Sequence, residues 1–218
     1  WELVAPSAIP FSNRSEMPKA MTKEDIEHAQ EGFVQATKRA DRLGMDCIEI
    51  HAAHGYLAQS FLSPLSNKRE DEYGGGLENR MRFLLEIFEK VRAAWPKEKP
   101  LGVRITSSDW VDGGWDIGDS VALAIELEKR GCDFIVASSG GATPDAAVIA
   151  GPGYQVGFAA EIKRNMTDMA VMAVGLITDP CQADSIIRSG QADMVALARG
   201  MLYNPHWTWQ AAVALGQE

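Results

Sequence analysis

The 218-residue chain reads as an α/β protein, a parallel sheet covered by helices and, more narrowly, about the last five β/α units of a (β/α)8 TIM barrel. Three observations predict this. From residue 22 onward, short apolar strands alternate strictly with amphipathic helices, the pattern of a parallel sheet covered on its faces. No composition shift, low-complexity linker or sequence repeat interrupts the chain, so residues 1–218 are read as one domain. A doubly wound sheet fits both facts equally well. The third observation favours the barrel: His51, Arg104, Ser138-Ser139-Gly140-Gly141, Gly175 and Arg199 fall at or near the C-terminal ends of strands, where barrels gather their functional groups. Five units do not close a barrel of eight, so three further units are expected outside this sequence. The opening Trp1-Glu2-Leu3-Val4, without an initiator Met, suits a portion of something longer.

The elements follow in order. Thr22 caps a helix whose apolar positions Ile26, Ala29, Phe33, Ala36, Ala40 and Leu43 share one face, and Gly44 stops it. Strand Cys47–Ile50 comes next. A long polar loop then leads to a helix from about Leu77, with Met81, Leu84, Leu85, Phe88 and Val91 inward and Pro96 closing it. Strand Leu101–Thr106, helix Ile117–Lys129, strand Asp133–Ser138, helix Phe158–Asn165 and strand Ala170–Val174 succeed one another. Thr178-Asp179-Pro180 supplies a cap and an early proline for the next helix. Strand Asp193–Ala198 is last, followed by a helix from about Pro205.

With 46% hydrophobic residues the chain can bury a substantial core. Its net charge of −9 argues against nucleic acid and against an anionic membrane surface as partners. No apolar run reaches the roughly 18 residues of a spanning helix. Cys47, Cys132 and Cys181 are odd in number and widely spaced, with neither a disulfide framework nor zinc spacing. They are read as reduced thiols, and the expected location is the cytoplasm.

The chemistry concentrates at His51-Ala52-Ala53-His54-Gly55-Tyr56-Leu57, on the turn that follows a buried strand. Two imidazoles three residues apart can donate hydrogen bonds to one developing oxyanion, and a phenol two residues on can deliver a proton to a neighbouring carbon. That equipment suits reduction of a double bond conjugated to a carbonyl or nitro group. The alternatives are structural histidines or half of a zinc site, though no third ligand of suitable spacing is evident and no metal is expected. Tyr56 could equally pack beneath the loop. Arg104 interrupts the apolar strand Leu101-Gly102-Val103-Arg104-Ile105, so it needs either a buried carboxylate partner or an electron-rich ring to face. Gly175 and Ala198-Arg199-Gly200 end adjacent strands, where small residues and an arginine can hold a phosphate. The segment Ser63–Arg80 is read as a solvated loop tied down by Arg–carboxylate pairs, and Trp207 and Trp209 as packing for the last helix.

These residues resemble a known family. His51-Ala-Ala-His-Gly-Tyr-Leu, then Phe61-Leu-Ser-Pro, Asn67-Lys-Arg, Asp71-Glu-Tyr-Gly-Gly and Glu78-Asn-Arg-Met-Arg-Phe83 are similar to the old yellow enzymes, flavin-dependent ene-reductases on a (β/α)8 barrel. The opening Trp1-Glu-Leu-Val-Ala-Pro-Ser-Ala resembles the xenobiotic reductase branch of that family, grouped with its thermophilic-like members. The resemblance implies that His51 and His54 hold the substrate oxygen above FMN and that Tyr56 protonates the α carbon. It implies Arg104 beside the N1/O2 edge of the flavin, and Gly175, Ala198 and Arg199 at its phosphate. NADPH or NADH would be the reductant, and an enone or nitro compound the small-molecule substrate.

The chain departs from the family at Ala198, where Gly is usual, and at Gly76, where Ser is usual. The family's first three barrel strands, with their further flavin contacts and a redox-tuning cysteine, are not found, and its C-terminal tail is short or missing. The expectation is a chain that works as a homo-oligomer or when completed by an N-terminal segment. A 2,4-dienoyl-CoA reductase-like flavoenzyme is the nearest alternative, though the iron–sulfur segment of such enzymes is not found here. A non-catalytic, self-associating half-barrel and a flavin-free phosphosugar barrel enzyme are the others.

Overall fold

The computed structural model describes residues 2–217, so Trp1, the first residue of the family-like opening, lies outside the described residues. Five parallel strands form the central sheet: β3 (Ile48–Ala52), β4 (Leu101–Thr106), β5 (Phe134–Ser138), β6 (Ala170–Val174) and β7 (Met194–Ala196). They lie side by side in chain order, β3-β4-β5-β6-β7. A doubly wound sheet reverses its order at a switch point; this sheet never reverses, as expected of part of a barrel wall.

A two-stranded parallel pair, β1 (Val4–Ala5) and β2 (Lys19–Ala20), precedes the sheet. Two residues per strand carry no periodicity, so this pair was not expected from the sequence. Helix α1 (Lys23–Arg42) opens on a capping box in which Asp25 N–H donates to Thr22 Oγ1 and Thr22 N–H donates to Asp25 Oδ2. Its inward face includes the expected Ile26, Ala29, Phe33 and Ala40, which lie in or against the core, but is rotated from the expected stripe. Ile26 is buried, but the other buried residues are Gln30, Val34 and Thr37, while Ala36 and Leu43 are exposed. Polar side chains can line this face because they are paired. Gln30 donates to Glu86 Oε2 (2.7 Å) and Thr37 to Phe33 O (2.9 Å).

Between β3 and the long helix α3 (Leu77–Ala94) lies a short helix, α2 (Leu57–Leu62), where a continuous loop was expected. Residues 58–62 are all buried, so α2 has no polar face from which a 3.6-residue period could be read. Phe61 stacks on Phe83 of α3 with ring centroids 4.1 Å apart. All five expected inward residues of α3 are buried. Helix α4 (Ile117–Lys129) has the expected bounds and is capped by Asp116, which accepts from Asp119 N–H.

Helix α5 (Val156–Lys163) starts and ends two residues before the expected range. A backbone bond from Gly153 N–H to Gly175 O (2.8 Å) anchors the chain just ahead of it. Helix α6 (Pro180–Arg188) begins as expected on Asp179, which accepts from Gln182 N–H, with Pro180 at the first turn. After β7 the chain forms α7 (Arg199–Tyr203), not anticipated, and α8 (Trp207–Ala214), which starts near the expected Pro205.

The segment after α2 is only partly a solvated loop. Arg69 pairs with Asp71 through two bonds (3.0 and 2.6 Å) as expected, and it also donates to the carbonyls of Pro6 and Met21, tying β1 and β2 to the loop. Asn67 and Arg80, however, are buried. Trp207 packs at half burial and donates to Thr178 O (2.7 Å), whereas Trp209 is 72% exposed and stacks on His206.

Burial along the sheet tells where its wall is closed. All of β5 and nearly all of β4 are buried, whereas Glu49 and His51 of β3 are exposed and β7 is half-buried throughout. Beyond β7, Leu202, Tyr203, Trp209 and Val213 are each more than 70% exposed. Among the described residues, β3 and β7 are therefore unpaired edges, and one is flanked by apolar surface.

Candidate active site

The sheet register builds the site. His51 on β3 lies opposite Arg104 on β4, which lies opposite Val136 on β5, so an imidazole and a guanidinium rise side by side from one face of the sheet. His51 lies within strand β3, because the strand continues to Ala52. Just past the strand, the backbone turns sharply: His54 and Gly55 take φ of +61° and +76° in succession. A left-handed histidine is strained by its Cβ, and the turn is held from several sides. His54 N–H donates to Thr106 Oγ1 (2.8 Å), Gly55 N–H to Gln59 Oε1 (3.0 Å) and Tyr56 N–H to Ala53 O (3.3 Å).

This turn brings the three expected rings together. The His51 ring lies 5.3 Å from that of His54 and 5.5 Å from that of Tyr56, centroid to centroid. Tyr56 is 66% exposed, so packing beneath the loop is not its role here. His54 Nε2 is 2.7 Å from Ser138 Oγ at the end of β5.

Electrostatics fix the protonation state. Burial, then Arg104, then His51 push the pKa of His54 down to about 4. His51 is shifted downward too, by the burial its ring retains and then by Arg104. Both imidazoles are thus neutral near pH 7, and each ring has one N–H to donate.

The pH consequence has a definite sign. The folded pKa of His54 is about 4 and its ordinary value is 6.5, so the unfolded chain binds the extra proton between them. Stability that is complete above pH 6.5 is lost as pH falls towards 4. A loss on the order of 2 kcal/mol is expected. Urea unfolding at pH 7 and pH 4.5 measures it, and His54→Asn should shrink the difference; an undiminished difference would assign the loss elsewhere.

Arg104 pairs with no carboxylate among the described residues, and its Nε is buried without a hydrogen-bond partner. The buried ion pair allowed by the sequence is not formed. An orphaned guanidinium beside a cleft is suited to an electron-rich acceptor.

That cleft has a volume of 460 Å³ and takes its walls from His54, Arg104, Gly175, Ala198 and Arg199. Five of the seven residues singled out in the sequence thus line one space; His51 and Tyr56 do not line it, His51 touching the lining His54 through its ring and Tyr56 touching His51. Gly175 has φ +137°, which an L side chain resists, and a Cβ there would press on Tyr154 at 3.1 Å and Gln155 at 3.0 Å. Ala198 directly precedes α7, and its single methyl leaves the cleft open. Among the described residues no group of three or more His, Cys, Asp and Glu is placed to hold a metal.

Two contributors were not legible. Gln155, only 2% exposed, accepts from Ser139 Oγ (2.6 Å) and donates to Val174 O (2.9 Å), joining β5 to β6 behind the cleft. Thr106 holds the His54 turn and also donates to Gly140 O (3.2 Å). Neither amide nor hydroxyl belongs to a spacing that marks chemistry, so only the fold reveals them.

Residues 3–218 match the NADH:flavin oxidoreductase / NADH oxidase family. The chain belongs to this family. An NADPH dehydrogenase from Geobacillus sp. (strain WCH70) is 51% identical over 215 residues, covering 99% of the chain and 62% of that protein. The chain thus spans somewhat under two thirds of such relatives. Among solved structures, a 2-naphthoyl-CoA reductase in complex with 2-naphthoyl-CoA superposes with a TM-score of 0.89 at 27% identity, covering 99% of this chain and 33% of that one. Morphinone reductase in complex with tetrahydroNAD superposes with a TM-score of 0.81 at 26% identity, covering 98% of this chain and 60% of that one. The kinship with the old yellow enzymes and the barrel architecture expected from the sequence both hold.

Proposed function

We propose that this chain carries the substrate face and the phosphate end of an FMN site, in an enzyme that uses NADPH or NADH to reduce C=C bonds conjugated to a carbonyl or nitro group. One observation carries the reading. A neutral imidazole and an unpaired guanidinium line one cleft; a second neutral imidazole stands 5.3 Å from the first, ring to ring, and a solvent-accessible phenol 5.5 Å from the second. The cleft fits the cofactor on its own terms: the buried, partnerless Nε of Arg104 needs an acceptor such as a ring edge, and Gly175 opens a cradle that a Cβ would fill.

FMN, when bound, would supply the hydride chemistry that links the nicotinamide to the β carbon of the substrate. The chain's own residues do the rest. His51 and His54 donate to the carbonyl or nitro oxygen, drawing electron density from the conjugated bond. Being neutral, they polarise that oxygen without bringing a charge into the cleft. Tyr56 donates its phenolic proton to the α carbon. Arg104 would face the ring edge of the flavin and offer it a positive charge, and Arg199, with the small residues Gly175 and Ala198, would hold its phosphate.

A visible spectrum of the purified chain before and after FMN addition is the first test. Flavin absorbance that stays with the protein after free FMN is removed supports the reading, and a protein that stays colourless even when the missing N-terminal strands are restored counts against it. Tyr56→Phe should slow substrate reduction by about one to three powers of ten while sparing flavin reduction by the nicotinamide. Stopped-flow measurement of both half-reactions checks this, and equal slowing of the two would remove Tyr56 from the proton step.

The likeness to 2-naphthoyl-CoA reductase favours a second reading, in which the conjugated carbonyl is a coenzyme A thioester. Comparing kcat/KM for an enoyl thioester and a simple cyclic enone separates the two. The open cleft between Gly175 and Arg199 is also the place where a small homo-oligomer, or a completing segment, would close the site.

A further inference from the structure

A buried carboxylate lies behind the histidine turn with no cation bonded to it. Asp109, in the loop after β4, is fully buried and pairs with no Lys or Arg among the described residues. It accepts three hydrogen bonds: from Gln59 Nε2 on Oδ1 (2.9 Å), and from Ser63 Oγ (2.6 Å) and Trp115 N–H (2.8 Å) on Oδ2. Ser63 Oγ itself accepts from Leu65 N–H (3.2 Å), so its hydrogen is free for Asp109. Both oxygens of Asp109 are therefore acceptors.

That asymmetry has a chemical consequence for Gln59, which is also fully buried. An amide presents a donor on one side and an acceptor on the other. A carboxylate facing it accepts only, so it fixes Nε2 towards Asp109 and leaves Oε1 for the one N–H on the other side, that of Gly55. Gly55 N–H sits in the middle of the left-handed pair that turns His54 into the cleft. Without an acceptor there, the turn would bury an unsatisfied donor beside a strained histidine.

We infer that Asp109 and Gln59 are positioning residues for the histidine pair: the carboxylate sets the orientation of the amide, and the amide holds the turn that aims His54 beside His51. The link to chemistry rests on the function proposed above, whereas the geometry of the turn does not.

The test uses exchange of hydrogen bonds across the pair. In Asp109→Asn one donor loses its acceptor whichever way the two amides turn, either Gly55 N–H or Trp115 N–H. Combining Asp109→Asn with Gln59→Glu restores a full set. The carboxylate introduced at position 59 then accepts from both Gly55 N–H and the new amide at position 109, which keeps its oxygen for Ser63 and Trp115.

Two readouts by NMR on the 218-residue chain need no flavin: amide hydrogen exchange at Gly55 and the titration of the His54 ring. Asp109→Asn should speed exchange at Gly55 by roughly tenfold or more and move the His54 titration up from about 4 towards 6.5 as the ring gains water. The double variant should return both to their starting values. Should Asp109→Asn fail to fold, Gln59→Met removes only the bridging amide and should move the same two readouts.

Unchanged exchange and titration in the single variants would overturn the inference, even with a lowered Tm. So would a folded double variant that restores neither. If these shifts appear but the chain completed by its N-terminal strands takes up no flavin, the proposed chemistry fails and the positioning role stands.

Discussion

Replacing both His51 and His54 with Ala should abolish the long-wavelength charge-transfer band that phenolic ligands form over a bound flavin. The two rings stand 5.3 Å apart and neutral, and on the proposed function one ligand oxygen takes a hydrogen bond from each. Hydrogen bonds to a charged oxygen are worth about 1.5–3 kcal/mol each. Losing two should weaken a phenolate by about two to four powers of ten. Titrating the flavin-loaded protein with a para-substituted phenol and following absorbance at long wavelength gives the number. Persistence of the band in the double variant would end the oxyanion role for this pair.

Gly55→Ala should cost the protein on the order of 3 kcal/mol or more, the largest loss expected from one added methyl group. Two effects add. The residue holds φ at +76°, which an L side chain resists, and the new Cβ would lie 2.1 Å from Gly141 O. The obstacle is backbone in the loop after β5, not a side chain that could swing away. Gly141, in turn, has φ +93° and approaches the His54 backbone closely enough that its own Cβ would fall 2.4 Å from Cα. Gly113 is the internal control, since it has φ +72° but nothing within 4 Å of a Cβ. Gly113→Ala should therefore show only the backbone strain, about 1 kcal/mol. Urea unfolding of the two variants separates strain from collision, and equal losses would show that the approach of Gly141 relaxes.

Where local chemistry punctuates the chain, the fold could be read directly. Thr22 and Asp179 with Pro180 mark the starts of α1 and α6, and the strands β4 and β6 fall on the apolar runs read from the sequence. Reading failed where burial and polarity part company. Gln30 and Thr37 face inward in α1 because Glu86 and a backbone carbonyl satisfy them, so the apolar stripe marked only part of the inward face. Helix α2 is buried almost all round and six residues long, too short and too uniform to show a period.

The site divides in the same way. His51, His54, Arg104 and Arg199 could be picked out because each is a costly residue in an apolar strand or at its end. Gln59, Asp109 and Gln155 escaped notice because a buried amide or carboxylate declares itself only through its partners. Asp109 lies 50 residues from Gln59, a separation no spacing rule spans.

The edge position of β3 carries a thermodynamic consequence. One of the two imidazoles lies on this strand and the other two residues beyond it, and the strand is paired on only one side among the described residues. Whatever pairs with its free side will rigidify the same backbone that orients the donors. Sheet completion and ligand affinity are then linked functions, and each must strengthen the other by the same factor. A tight phenolic ligand should thus act as a remote gauge of strand pairing, drawing together whatever closes the wall.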